Sequence, residues 1–225
     1  MLPFGKWQVG SMQSNILVDC SREWIEQRSH CIDKAASDAM RRAAAVHGIT
    51  RLVHLTRVEN VAGIFHHGLL SRRQLKRRGV DALINDFERH DGHLDHVCLS
   101  VTWPNWRLLR AWQLRYPGAS WAMLIIRPNL LWEADCLFCP TNSASARMRC
   151  RDPGSLRGCK AFEGMFDQPG SRPADVQAEV LVPGSVATNR IECVYFDRPS
   201  VMKAASTGLP PTWLRASPRW FGRPA

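Results

Sequence analysis

The stretch Val176-Gln177-Ala178-Glu179-Val180-Leu181-Val182-Pro183-Gly184 constrains this chain more than any other. Aliphatic and β-branched residues closed by Pro-Gly read as a buried strand and its turn. On an alternating strand Gln177, Glu179 and Leu181 share one face, and Val176, Ala178, Val180 and Val182 share the other. One face packs, while the other carries an amide and a carboxylate side by side. A carboxylate in such apolar company needs a partner or a task. Periodicity alone favours an edge strand with Glu179 in water; the rest of the chain bears on which reading holds.

A length of 225 residues suits one substantial domain with arms. The net charge of +10 points to a polyanionic partner, nucleic acid ahead of a membrane surface, with solubility charge as the plain alternative. The first twenty residues lack a secretory pattern, and no apolar run reaches spanning length. Eight cysteines in such a chain read as reduced thiols, so a soluble cytoplasmic protein is expected.

A helix is expected from a Ser21 cap to Gly48, with Ile25, Ile32, Ala36, Ala39, Met40 and Ala43 on its packed face. Strands are expected at Ile49–Thr56, His96–Thr102, Trp121–Ile126 and Ile191–Phe196, the last pairing with the Glu179 strand. Helices are expected over Val58–Gly68 and Trp106–Leu114, and a turn over Asn129–Glu133. His54 falls on the alternation of Leu52 and Thr56, where a lone histidine is ordinarily a hydrogen-bonded core residue.

Arg72–Arg78 puts five cations in seven residues, and the polar run from Asp81 to Asp95 reads as a long surface loop of the functional kind. Residues 150–175 read as a Gly-, Pro- and Arg-rich loop interrupted by Phe162–Phe166. After Arg198 no acidic residue follows; the segment reads as a disordered tail, or else as a basic-aromatic arm tracking single strands. Cys136 and Cys139, with Cys150 and Cys159 beyond, give a weak zinc signal without a histidine at ligand spacing, and no metal is expected. Neither a Rossmann fingerprint nor a Walker motif is present. About five strands with helices before and between them place the chain in the α+β class.

Taken in order, several pieces resemble the DarT family of NAD-dependent DNA-base ADP-ribosyltransferase toxins. They are His54-Leu55-Thr56 with Asn60, Gly68-Leu69-Leu70-Ser71, Asn85-Asp86 with Arg89 and Asp91-Gly92, and Leu99–Thr102 with Pro104-Asn105. Phe138-Cys139 with Asn142-Ser143-Ala144-Ser145, and Gln177–Val182, complete the series. The resemblance covers residues 48–197 and implies the ADP-ribosyltransferase fold, a split β-sheet with an NAD cleft. Residues 1–47 are then an N-terminal helical extension and 198–225 a basic tail.

The resemblance implies Glu179 as the catalytic glutamate and Arg89 as the second catalytic side chain, on a loop covering NAD. It implies His54, Thr56, Asn60, Gly68 and Ser71 at the co-substrate, and Asn105 at the substrate. It further implies single-stranded DNA as target and a cognate antitoxin, a macrodomain-type or similar ADP-ribosyl hydrolase.

The chemistry asks for the same residue types. Departure of nicotinamide builds positive charge on the ribose, which a carboxylate on a rigid strand stabilises. A base inside a duplex cannot reach a buried ribose carbon, so single-stranded or flipped substrate is expected. Cations such as Arg72 and Arg73 would hold phosphates, with Trp103 or Trp106 available for stacking, although both aromatics suit a core equally. Thymine is the first choice of base. The alternatives are guanine, an RNA-directed ADP-ribosyltransferase or 2′-phosphotransferase, and a basic binding module in which Glu179 and His54 are structural.

Overall fold

The computed structural model describes residues 33–85 and 89–222. Helix α1 (Lys34–Val46) starts where Asp33 Oδ1 accepts the Ala35 N–H at 3.1 Å. The expected Ser21 cap lies outside the described residues; Met40, Ala43 and Ala44 pack inward, whereas Ala36 is exposed. Strand β1 (Leu52–Arg57) leads through a 3-10 turn into α2 (Val61–His67), β2 (Leu69–Leu70) and α3 (Arg72–Arg78). Then come β3 (His96–Val101), α4 (Trp106–Arg115) and β4 (Trp121–Ile126), every residue of β4 being buried. The chain continues through α5 (Leu130–Glu133), β5 (Leu137–Cys139), α6 (Ala146–Arg149), α7 (Gly158–Glu163), β6 (Glu179–Pro183) and β7 (Ser185–Val186). It closes with β8 (Ile191–Phe196), α8 (Pro199–Ala205) and β9 (Leu214–Ala216).

Among the described residues, seven strands form one sheet in the order β5-β6-β3-β1-β4-β8-β9, and β2 pairs with β7 in a separate ribbon. All pairs are antiparallel except β8 with β9. Alternation sorts the side chains: Leu52, Leu99, Val180, Val182, Leu124 and Phe196 face the main core with α1, α2 and α7. Val53, Met123 and Ile125 face the other side, beneath Trp220. The sheet is nearly two sheets. β1 pairs with β4 along its whole length, but with β3 only at Leu52↔Val101 and Val53↔Ser100. Beyond that seam the two halves part, as expected of a split sheet.

Four expectations are corrected. β8 does not pair with the Glu179 strand: β3 and β5 flank β6, and β8 lies against β4 and β9. Strand order is a tertiary choice that local alternation does not encode. The segment after Arg198 is not a loose tail, because β9 extends the sheet and Leu209 and Trp220 are buried. Leu130–Glu133 form one helical turn, with Asn129 as its N-cap, rather than a plain turn. Residues 150–175 carry a 3-10 turn and α7, held by Leu156, Phe162 and Met165, each at most 2% exposed.

Candidate active site

The site forms where β1 and β3 part. His54, the first residue past the seam, places Nδ1 2.9 Å from the Cys98 carbonyl oxygen on β3, across a gap the backbone ladder leaves open. A carbonyl only accepts, so Nδ1 carries the proton, and in the neutral ring Nε2 is left as an acceptor. Burial lowers the pKa of His54, opposed by the Cys98 bond and helped by the nearby Arg89 cation. The ring is therefore neutral at neutral pH.

Glu179 opens β6, opposite Cys139 on β5. Its Oε2 accepts the Ser143 backbone N–H at 2.9 Å. Burial pushes the carboxyl pKa above the ordinary value; the Ser143 bonds pull it down, Asp91 raises it further, and Arg89 opposes. Such a carboxylate is held in one place and poorly hydrated, which suits opposing a cation that forms beside it.

Arg89 adopts a left-handed φ of 41°. Its guanidinium is committed at three atoms: Nε to Asp91 Oδ1 (2.9 Å), Nη1 to Cys98 Sγ (3.1 Å) and Nη2 to the His93 carbonyl (2.6 Å). The second Asp91 oxygen accepts the Ser143 hydroxyl at 2.9 Å. One hydrogen-bonded chain thus runs Arg89–Asp91–Ser143–Glu179. With side chains 10% and 3% exposed, Arg89 and Asp91 form a buried ion pair, tolerable because its remaining valences are satisfied. The roles of Asp91, Ser143 and Cys98 show only in the folded geometry. Asp91 stands two residues after Arg89 on a reversing loop, the only local signal it gives.

Asn60 clasps the loop that follows α3. Its Nδ2 donates to Thr56 Oγ1 (3.0 Å) and to the Leu83 carbonyl (2.9 Å), and its Oδ1 accepts the Leu83 N–H (2.8 Å). Ser71 is buried; its hydroxyl caps α3 at the Gln74 N–H, and its own N–H donates to Gly184 O at 3.0 Å. Gly68 sits at φ 77°, where an added Cβ would lie 2.7 Å from the Val186 oxygen.

These residues surround a cavity of about 480 Å³. Its lining brings together His54, Thr56, Asn60, Gly68, Ser71, Arg72, Arg89 and Glu179, joined by Cys98, Asp91 and Ser143. That volume falls in the usual range for small-molecule and cofactor sites, about 300–1,000 Å³. A second cavity of about 80 Å³ holds Asn105, Pro104 and Ser100, and shares Glu179 and His54 with the first. Asn105 also caps α4, its Oδ1 accepting the Leu108 N–H at 3.1 Å. Arg73, Trp103 and Trp106 lie outside both linings. Arg73 is exposed, and Trp103 packs on Trp220 at 5.1 Å between ring centroids.

Among the described residues no group of three histidine, cysteine or acidic side chains could hold a metal ion. Burial pushes Cys136 and Cys139 up to about 12, so both are thiols at neutral pH.

The model of the ssDNA thymidine ADP-ribosyltransferase family, DarT, matches residues 53–220, three quarters of the chain. This chain belongs to the DarT family. No curated sequence matches it. Among solved structures it resembles Thermus sp. 2.9 DarT in complex with NAD+, at 17% identity and a TM-score of 0.54 over 77% of this chain and 98% of that one. It resembles the same protein with ADP-ribosylated ssDNA at 15% identity and a TM-score of 0.50, over 76% and 96%. Thermosipho africanus DarTG in complex with ADP-ribose matches at 16% identity and a TM-score of 0.55, over 76% of this chain. The chain spans about half the length of that DarTG protein, 51%. At these identities the likeness establishes the fold, the DarT form of the ADP-ribosyltransferase architecture.

Proposed function

We propose that this chain transfers ADP-ribose from NAD to a base of single-stranded DNA, with thymine the first choice. The observation that carries the reading is Glu179, fixed by the Ser143 N–H on the wall of a cavity of about 480 Å³ that His54, Arg89 and Asn60 also line. In the reaction the bond from ribose C1 to the nicotinamide nitrogen breaks, its electron pair leaving with neutral nicotinamide. A bond from C1 to a ring nitrogen of the base forms, and the proton on that nitrogen is lost. Glu179 opposes the charge developing on the ribose and accepts the proton. His54 offers Nε2 to a ribose hydroxyl. Arg89, on the covering loop, orients the acceptor or the diphosphate and helps exclude water, which would otherwise intercept the cation.

Membership of the DarT family supports the substrate class, and solved relatives are complexes of NAD+ and of ADP-ribosylated ssDNA. Guanine is the alternative base. Among the described residues no helix is long and apolar enough to cross a membrane. Cytoplasmic action belongs to the proposal, as does an antitoxin that removes the modification; a DarTG protein among the structural relatives motivates that partner.

The test incubates the protein with NAD and four oligonucleotides, each lacking one base, with RNA and duplex controls. Nicotinamide release is measured together with the mass of each oligonucleotide. An ADP-ribose increment absent only from the thymine-free strand is the expected result. Labelling of RNA alone, or of no nucleic acid, overturns the DNA reading.

A further inference from the structure

The second cavity at Glu179 opens a question the larger one does not answer. Its lining residues Val53 and Leu55 also pack in the cluster beneath Trp220, on the sheet face turned away from the main core. At this rim β3 ends in an abrupt turn. Thr102 takes a left-handed φ of 60°, unusual for a β-branched residue, and Trp103 follows it. Trp103 lies 5.1 Å from Trp220, which in turn lies 5.5 Å from Tyr195.

Three arginines from remote parts of the chain converge on these rings. The guanidinium carbons of Arg172 and Arg219 stand 4.9 and 5.3 Å from the Trp103 ring centre, and that of Arg51 stands 5.5 Å from Trp220. Among the described residues none of the three pairs with a carboxylate. Arg172 and Arg219 are exposed and Trp103 is half-buried. Ring faces account for holding one or two guanidiniums. They do not account for gathering three like charges from residues 51, 172 and 219 without a counter-charge. An extended polyanion with flat bases matches the arrangement: phosphates pair with the arginines, and bases stack on their guanidinium planes.

We propose that the Trp103–Trp220 face carries the single strand flanking the reacting base, so that the base reaches Glu179 from this side while NAD fills the larger cavity. The inference rests on the proposed function for its substrate class. It adds a path: the loop before β6 (Arg172), the turn after β3 (Trp103) and the segment after β9 (Arg219, Trp220) form one track ending at the Pro104–Asn105 rim. A duplex, whose bases are already stacked, has no use for it.

The double charge reversal Arg172→Glu with Arg219→Glu tests the track, with Lys203→Glu as control. Lys203 is exposed on α8, which packs against the main core. Binding of a fluorescent thymine-containing oligonucleotide of about 12 nucleotides is followed by polarisation without NAD, across salt concentrations. Thermal melts check that each variant is folded. Affinity is expected to drop about tenfold or more, and the slope of log K against log salt to shrink by about 1.4, for two lost phosphate contacts at about 0.7 each. Oligonucleotides of about four nucleotides should lose far less. Affinity and salt slope equal to those of Lys203→Glu overturn the track. Because binding is read without turnover, a chain that binds DNA here but transfers nothing sinks the enzymatic reading alone. Unchanged binding with intact transfer sinks the track alone.

Discussion

Ionising Glu179 in its desolvated setting costs free energy that the fold has to absorb, and that cost is measurable. Burial raises its pKa above the ordinary carboxylate value of 4.5. The folded state therefore holds its proton to higher pH than the unfolded chain does, and stability falls as pH rises from about that value through the folded pKa. Glu179→Gln removes this penalty while its amide oxygen still accepts the Ser143 N–H. Melting should show the variant more stable than the unmodified protein at neutral pH, with the gap closing below the unfolded pKa. Its turnover should fall by a factor on the order of 100 or more, the scale of one preorganised electrostatic contact; near-normal turnover would remove Glu179 from the mechanism. Asp91 acts one step further out, holding Arg89 with one oxygen and Ser143 with the other. In Asp91→Asn, kcat should drop more than the affinity for NAD weakens, because Arg89 loses its orientation. The acid limb of the pH–rate profile should move to lower pH, since a negative charge that raises the Glu179 pKa is gone. A variant with lowered stability but an unshifted limb would make Asp91 merely structural.

At the scale of elements, the sequence was most readable where burial is uniform and least where elements are short. β4 stands at its expected bounds because six consecutive residues are buried, and β1 is off by a few residues only. β2, β7 and β9 are two or three residues long, too short for any alternation to register. The neighbours of β6 are not legible in the sequence, because strand order is a tertiary choice and β5, which flanks it, has only three residues. The segment after Arg198 misled through composition: its cations dominate the sequence, while the few apolar side chains that fix it, Leu209 and Trp220, are widely spaced. The candidate site divides along the same line. Glu179 and His54 stood out as polar groups within strands, whereas Asp91 and Ser143 lie on loops, where a polar residue is unremarkable until its partner is known. Gly68 is a case where one backbone angle carries an element. It ends α2 and turns the chain into the β2–β7 ribbon, and Gly68→Ala would drive a methyl against backbone, which cannot swing aside. A lower melting temperature and a higher KM for NAD are expected, since Gly68 and Ser71 line the larger cavity. Unchanged values of both would mean the ribbon yields freely.

On the scale of the molecule, the seam of two residue pairs between β1 and β3 turns one sheet into two half-sheets with a working gap. The main core runs beneath both halves, so the gap is framed rather than loose. Because Glu179 borders both the larger cavity and the small one, the carboxylate is reachable along two routes. That arrangement bears on the order of events in a catalytic cycle. If donor and acceptor approach by separate routes, neither has to wait for the other, and nicotinamide can depart while the strand stays bound. Initial rates measured over a grid of NAD and oligonucleotide concentrations should then give intersecting lines. Nicotinamide should inhibit competitively against NAD and non-competitively against the oligonucleotide. A compulsory order with DNA first, seen as no binding of NAD in the absence of strand, would mean that the two routes merge before they reach Glu179.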